Sequence, residues 1–248
     1  MNKTHLRILL LLLTATSLLA TAPARAVVIG GEVFDIANVG AGLDAYDQGG
    51  EFIELTLPFM PPNGTQNSVG KDTFNDPNLY AFDEAQNVTF DEMLSYEYGA
   101  DTVGGELNNS GAINKNSGTL AGDGTTLYAS HYVFFDPLNT TRIRGRIDFD
   151  AEIVAVFTSK NSLDASDIFL NNNVNYLSPA LRGLEFQDVP IDVVGNSLYI
   201  DFQASTPGDF IRVLTLESSG PVNSVPEAPA LGLMMLSLAM LFVSRRRG

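Results

Sequence analysis

Polar and apolar side chains alternate most regularly between residues 142 and 152. The even positions there hold arginine, aspartate or glutamate, and the odd positions hold isoleucine, glycine, phenylalanine or alanine. Successive side chains of a strand point to opposite faces, so this period of two predicts a strand with one wet and one buried face. We expect the strand to continue through the apolar run Ile153–Phe157 into the interior of the fold.

Further strands are predicted where β-branched and aromatic residues lie between turn residues. These segments are residues 27–36, 52–57, 126–135, 184–194, 198–203 and 210–216. Turn residues recur about every 8–12 residues, and residues 159–167 form a polar break without a helical period. The pattern predicts an all-β fold, an antiparallel β-sandwich or jelly roll, over residues 27–220.

The N-terminal residues have the three parts of a secretory signal peptide. Lys3 and Arg7 precede an apolar stretch from Ile8 to Ala20, and Ala24 and Ala26 form a small-x-small cleavage site. We therefore expect residues 1–26 to direct export through the secretion translocon and then to be removed.

The C-terminal residues form a short apolar segment with a basic end. Residues 228–243 carry no charge, and as a helix these 16 residues extend about 24 Å, slightly less than a bilayer core of about 30 Å. Arg245, Arg246 and Arg247 follow directly and favour the cytoplasmic side of a membrane. The tail, 221–248, is thus predicted to hold a transmembrane helix at about 228–243; the alternative is a buried helix of the body.

Composition narrows the classes of function. Residues 27–225 contain 28 acidic and 8 basic residues, a net charge near −20 that disfavours binding to nucleic acid and to anionic lipid. Neutral glycans and divalent cations are compatible with this charge, which is also an ordinary solubility device. The chain has no cysteine, which excludes disulfides, a thiolate metal site and a lipid anchor on cysteine.

The tail resembles the PEP-CTERM sorting signal, which combines a proline–glutamate box, a short apolar helix and a terminal arginine cluster. Val225, Pro226 and Glu227 stand at the box, and Arg245–Arg247 form the basic end, whereas Ala228 stands where the family has a second proline. The resemblance implies removal of the tail by exosortase, a membrane-embedded cysteine protease-transpeptidase of Gram-negative bacteria that make exopolysaccharide.

Four segments of the body are similar to an ectodomain type that recurs in PEP-CTERM proteins. They are Tyr80–Asn87, Ser130–Pro137, Arg182–Glu185 and Pro207–Thr215. The resemblance implies no biochemical activity. The expected function is that of a secreted, non-catalytic protein, held transiently in the inner membrane and delivered to the cell surface or exopolysaccharide matrix. The alternative is a glycan-binding module at the cell surface that contacts extracellular polysaccharide.

Catalytic chemistry finds little support in the sequence. His131 is the only histidine after the predicted leader, so a multi-histidine zinc site is impossible, and a satisfied core or edge histidine is expected. Carboxylate pairs occur, namely Asp148 with Asp150, or Asp83 and Glu84 with Asp91 and Glu92. With 28 acidic residues in the body, such pairs are expected by chance. We expect no enzyme and assign no catalytic residue.

Two further polar groupings leave alternatives open. Arg142, Arg144 and Arg146 could form an anion-binding row, although pairing with carboxylates across strands is the favoured interpretation. No cofactor is expected, but calcium is compatible with an acidic exported chain, and Asp164–Asp167 and Asp72–Asp76 are weak candidates. No metal ligand is assigned.

Overall fold

The computed structural model describes residues 25–37, 43–99, 117–171, 173–184 and 189–217. The strands within these ranges are β1 (Val28–Phe34), β2 (Phe52–Leu55), β3 (Ser68–Val69), β4 (Leu79–Val88), β5 (Met93–Tyr96), β6 (Tyr98–Gly99), β7 (Gly118–Ala121), β8 (Tyr128–Phe135), β9 (Thr141–Phe149), β10 (Ile153–Phe157), β11 (Asn175–Tyr176), β12 (Val189–Val194), β13 (Ser197–Ala204) and β14 (Asp209–Leu216). One helix, α1, spans Lys160–Leu170, and short 3-10 turns span Tyr46–Gln48 and Pro179–Leu181. The expected all-β class is confirmed.

Two large sheets contain most of these strands. The four-stranded sheet has the order β1-β9-β13-β12, and the six-stranded sheet has the order β2-β4-β8-β14-β10-β6. Neighbours are antiparallel except for β2 beside β4, and a small β11-β3 sheet is also parallel. The sheets are therefore mixed rather than wholly antiparallel, because the long excursion between β2 and β4 returns the chain in its original direction.

The two large sheets share one hydrophobic core. Ile143, Ile147 and Phe149 of β9 bury fully in the same cluster as Leu79 of β4 and Val133 of β8. Full burial of each such side chain contributes about 1.5–3 kcal/mol relative to exposure. This shared core holds the two sheets against each other.

The other face of the six-stranded sheet is also covered. Tyr132 and Phe134 of β8 pack with Phe210 of β14 and with Leu163 and Leu170 of α1. Because β8 lies in a sheet that is buried on both faces, all of its residues are buried. This explains why apolar and aromatic residues occupy both faces of the strand at residues 128–135, with Ser130 and His131 as the two polar exceptions.

The predicted continuous strand from residue 142 to residue 157 is wrong. Its first part alternates between buried and partly exposed residues as expected, but β9 ends at Phe149 and pairs within the four-stranded sheet. The chain turns at residues 150–152, and β10 joins the six-stranded sheet. The change from alternation to a continuous apolar run marks this passage from a half-exposed sheet to a doubly covered one.

Helix α1 occupies the segment that the sequence predicts to be a polar break. Ser159 caps it, because its hydroxyl accepts the amide of Ser162 at 3.1 Å, and Ser162 completes a capping box. Glu97 supports this start by accepting the Ser162 hydroxyl at 2.8 Å. Leu163, Ser166 and Leu170 are buried on the helix. Because the buried face of α1 contains Ser166 as well as Leu163 and Leu170, the sequence lacks the apolar periodicity that would predict a helix.

Candidate functional site

The predicted sorting and cleavage residues lie almost wholly outside the described residues: Ala24, Val225, Pro226, Glu227, Arg245, Arg246 and Arg247. Ala26 is described; it is fully buried against Ala129 and Ala151, and its amide donates to Glu217 Oε2 at 2.9 Å. The next amide, of Val27, donates to Asp150 Oδ1 at 2.7 Å. Both terminal processing sites stay predictions.

His131 lies between an acid and a hydroxyl. Its strand, β8, is flanked by β4 and β14, which place Asp83 and Thr215 on either side of the imidazole. Nδ1 is 2.7 Å from Asp83 Oδ1, and Nε2 is 3.0 Å from Thr215 Oγ1. Acid, imidazole and hydroxyl thus occur in the order that hydrolytic triads use.

Burial makes this arrangement unsuitable for attack on a substrate. His131 and Thr215 are both 0% exposed, and the ring of Phe149 lies 4.8 Å from the imidazole centroid. A nucleophile and its base have to reach the reacting bond, and neither group reaches solvent. The expectation of a satisfied core histidine is confirmed: both ring nitrogens have partners, and the group ties three strands together.

A buried ion pair stands at the centre of the doubly covered sheet. Arg212 of β14 donates to both oxygens of Glu84, with Nε–Oε2 at 2.7 Å and Nη2–Oε1 at 2.6 Å, and both side chains are 0% exposed. The hydroxyls of Ser130 and Tyr176 also donate to Glu84. A buried charge needs such complete pairing, because desolvation of each ion costs several kcal/mol.

The same guanidinium holds helix α1 in place. Arg212 Nη1 donates to the carbonyl of Leu163 at 3.2 Å and to Ser166 Oγ at 2.5 Å, and Nη2 donates to Asp167 at 2.9 Å. Arg182 adds a second cation from the following segment, pairing with Asp164 and Asp167. Asp164 and Asp167 are therefore engaged by arginines, whose positive charges disfavour a calcium ion beside this pair.

Cross-strand ion pairs fill the predicted arginine row. Arg142 donates to both oxygens of Asp201 at 2.6 and 2.8 Å, and Arg144 donates to the same carboxylate at 2.9 Å. Arg146 pairs along its own strand with Asp148 at 3.1 Å and across to Glu32 of β1 at 3.8 Å. The preferred interpretation, pairing with carboxylates, is confirmed.

Most of the predicted carboxylate pairs are likewise engaged. Glu84 is inside the ion pair, Asp148 accepts from Arg146, and Asp150 accepts the amide of Val27. Among the described residues, three carboxylates lie within 4.8 Å of one another: Asp35, Asp44 and Asp47. Both oxygens of Asp44 already accept backbone amides, from Ile36 at 2.9 Å and from Tyr46 at 3.0 Å, so this carboxylate holds the local backbone in place.

An open cleft of 360 Å³ lies beside β4. Glu54, Asp83, Gln86 and Asn87 contribute polar groups to its lining. Partial burial, and secondarily the charge of Asp83, raises the pKa of Glu54 above its ordinary value. Both polar atoms of the Gln86 amide are buried without a hydrogen-bond partner. These two atoms do not reach the surface of the cleft.

Comparison with known proteins leaves the chain without a family assignment. No protein-family model, curated protein or solved structure matches the sequence. Among the described residues, no helix has the length and apolar character needed to cross a bilayer, and residues 228–243 lie outside that part of the chain.

Proposed function

We propose that this chain is a secreted, non-catalytic protein of the cell envelope or exopolysaccharide matrix, sorted and cut by exosortase. The observation that carries the proposal is that the reactive side chains of the protein are buried or paired with one another. His131 and Thr215 are buried, Arg212 and Glu84 neutralise each other, and the surface arginines pair with Asp201. Charged groups that are paired within the protein stabilise the fold, which is typical of a structural protein.

We further infer that the two large sheets form a β-sandwich of the jelly-roll kind. Their shared core supports this inference. Net negative charge and the lack of disulfides are consistent with a body that stays soluble outside the cell through packing alone. In this proposal the signal peptide directs export, and the apolar tail with its arginines directs sorting to the cell surface.

Intact-mass measurement in the native host tests the sorting proposal. We expect a surface form that begins at Val27 and ends near Pro226, and a longer form with the tail in a host lacking exosortase. Glu227→Ala should reduce tail removal, whereas the exposed body substitution Glu51→Ala should leave it unchanged. A complete tail on every copy in a host with active exosortase would refute the proposal.

A second candidate function is glycan binding in the cleft beside β4. The carboxylates of Glu54 and Asp83 and the side chain of Asn87 line this cleft and offer donors and acceptors that suit the hydroxyls of a neutral sugar. Saturation-transfer NMR with neutral oligosaccharides tests this candidate. Glu54→Leu should abolish the transfer, and the exposed control Gln66→Leu should not; the absence of transfer in the unmodified protein would eliminate this candidate.

A further inference from the structure

The loop between β3 and β4 packs against the end of β8. Asp136 follows β8 directly and is 0% exposed, and its Oδ2 accepts the amide of Phe74 at 3.2 Å and the hydroxyl of Thr73 at 3.5 Å. These two contacts fix the carboxylate against the middle of the loop. Asp72 and Asn75 flank the two donors in the sequence.

Three oxygen atoms in this region are buried and lack hydrogen-bond partners. They are Oδ1 of Asp72, Oδ1 of Asn75 and Oδ1 of Asp136. Each buried acceptor without a donor costs free energy, and native proteins rarely leave such atoms unpaired. All three are acceptors, and two of them belong to the loop residues that flank the donors to Asp136, so a bound cation is the kind of partner that would satisfy them.

The protein supplies no cation of its own there. Among the described residues, no lysine or arginine forms an ion pair with Asp72 or Asp136. Asp136 is fully buried, and Asp72 places a second negative charge near it. Buried Asp209, whose strand position is opposite Phe135, adds further acidity beside this end of β8.

We propose that Asp72, Asn75 and Asp136 bind a calcium ion that joins the β3–β4 loop to the end of β8. Carboxylate and amide oxygens are the ligands that calcium prefers, whereas zinc would require histidine or cysteine. Asp72 and Asn75 both adopt left-handed backbone conformations, with φ of 62° and 57°, and the ion would hold the loop in this shape. The proposal is independent of tail processing.

Calcium titration of the full-length protein in mild detergent, stripped first with chelator, tests the proposal. We expect one calcium ion per chain, with Kd in the range of about 10⁻⁴–10⁻³ M that extracellular modules show, and a higher Tm in calcium. Asp136→Asn should abolish binding. Asp72→Asn changes a less buried position and should weaken binding at least tenfold while preserving the β-sheet circular dichroism.

Asp47→Asn is the matched control, because this exposed residue belongs to the separate Asp35–Asp44–Asp47 group. It should leave stoichiometry and affinity unchanged. Loss of binding in Asp47→Asn, equal binding in Asp72→Asn and the unmodified protein, or no calcium uptake at millimolar concentration would each overturn the proposal. Magnesium should bind at least tenfold more weakly, and equal affinity would overturn the assignment to calcium.

Discussion

Replacement of Arg212 by methionine tests the central ion pair. The substitution leaves the Glu84 carboxylate fully buried with two neutral donors, the hydroxyls of Ser130 and Tyr176. Removing one partner of a buried pair costs about 3–5 kcal/mol, because the remaining charge keeps its desolvation penalty. This is a large fraction of the about 5–15 kcal/mol by which domains are stable.

Urea unfolding of residues 25–218, which pack as one compact unit, measures this cost. The chain has no tryptophan, so tyrosine fluorescence and circular dichroism report the transition. In the double variant Glu84→Gln with Arg212→Met, both members of the ion pair are replaced by neutral side chains. We expect its destabilisation to be smaller than the sum of the two single effects by about 2 kcal/mol or more.

Arg146→Met is the matched control. Arg146 also pairs with carboxylates, but its side chain is 35% exposed, and exposed pairs contribute about 1 kcal/mol or less. If Arg212→Met destabilises the protein no more than Arg146→Met, or if the double variant is additive within about 0.5 kcal/mol, the reasoning from burial is wrong.

Two further predictions concern the helix and the tyrosines. Leu163→Ala, at a fully buried position of α1, should cost about 2–5 kcal/mol in urea unfolding, and Ile168→Ala, which is 82% exposed, should change stability by about 0.5 kcal/mol or less. Equal effects would refute the packing of α1 on the sheet. Burial raises the pKa of Tyr98 to about 12 and raises that of three other tyrosines further: Tyr80, Tyr132 and Tyr176. Unfolded tyrosine ionises near pH 10. The stability that the buried neutral tyrosines contribute should therefore be complete below pH 10 and decline as pH rises towards 12. Tyrosinate absorbance should therefore rise at lower pH in urea than in the native protein; coincident curves would contradict it.

Strand positions were predictable from the sequence because they depend on local periodicity. The alternation around Ile143 and Ile147 identified the wet and buried faces of β9 correctly. The sheet to which each strand belongs was not predictable. Between β9 and β10, for example, the chain changes sheet within residues 150–152, whose sequence carries no strong turn signal. Pairing over long sequence separations has no local signature.

The ion pair could be suspected but not assigned from the sequence. Arg212 interrupts an otherwise apolar run in β14, which indicates a buried cation that needs a partner. Nothing local selects Glu84 among 28 acidic residues of the body, since the partners lie 128 positions apart. Helix α1 was missed for a related reason: Ser166 faces Arg212, so a polar residue stands where an apolar one would reveal the period.

The place of β14 in the six-stranded sheet governs the order in which the protein can fold. β14 lies between β8 and β10, yet it is the last strand of the described chain to be synthesised. Until Asp209–Leu216 has left the ribosome, the sheet consists of two separate parts, β2-β4-β8 and β10-β6, with their inner edges unpaired. The six-stranded sheet, and with it the core that both sheets share, therefore cannot be completed before β14 has been synthesised. This order suits the proposed export, because a chain that is threaded through a translocon has to be unfolded.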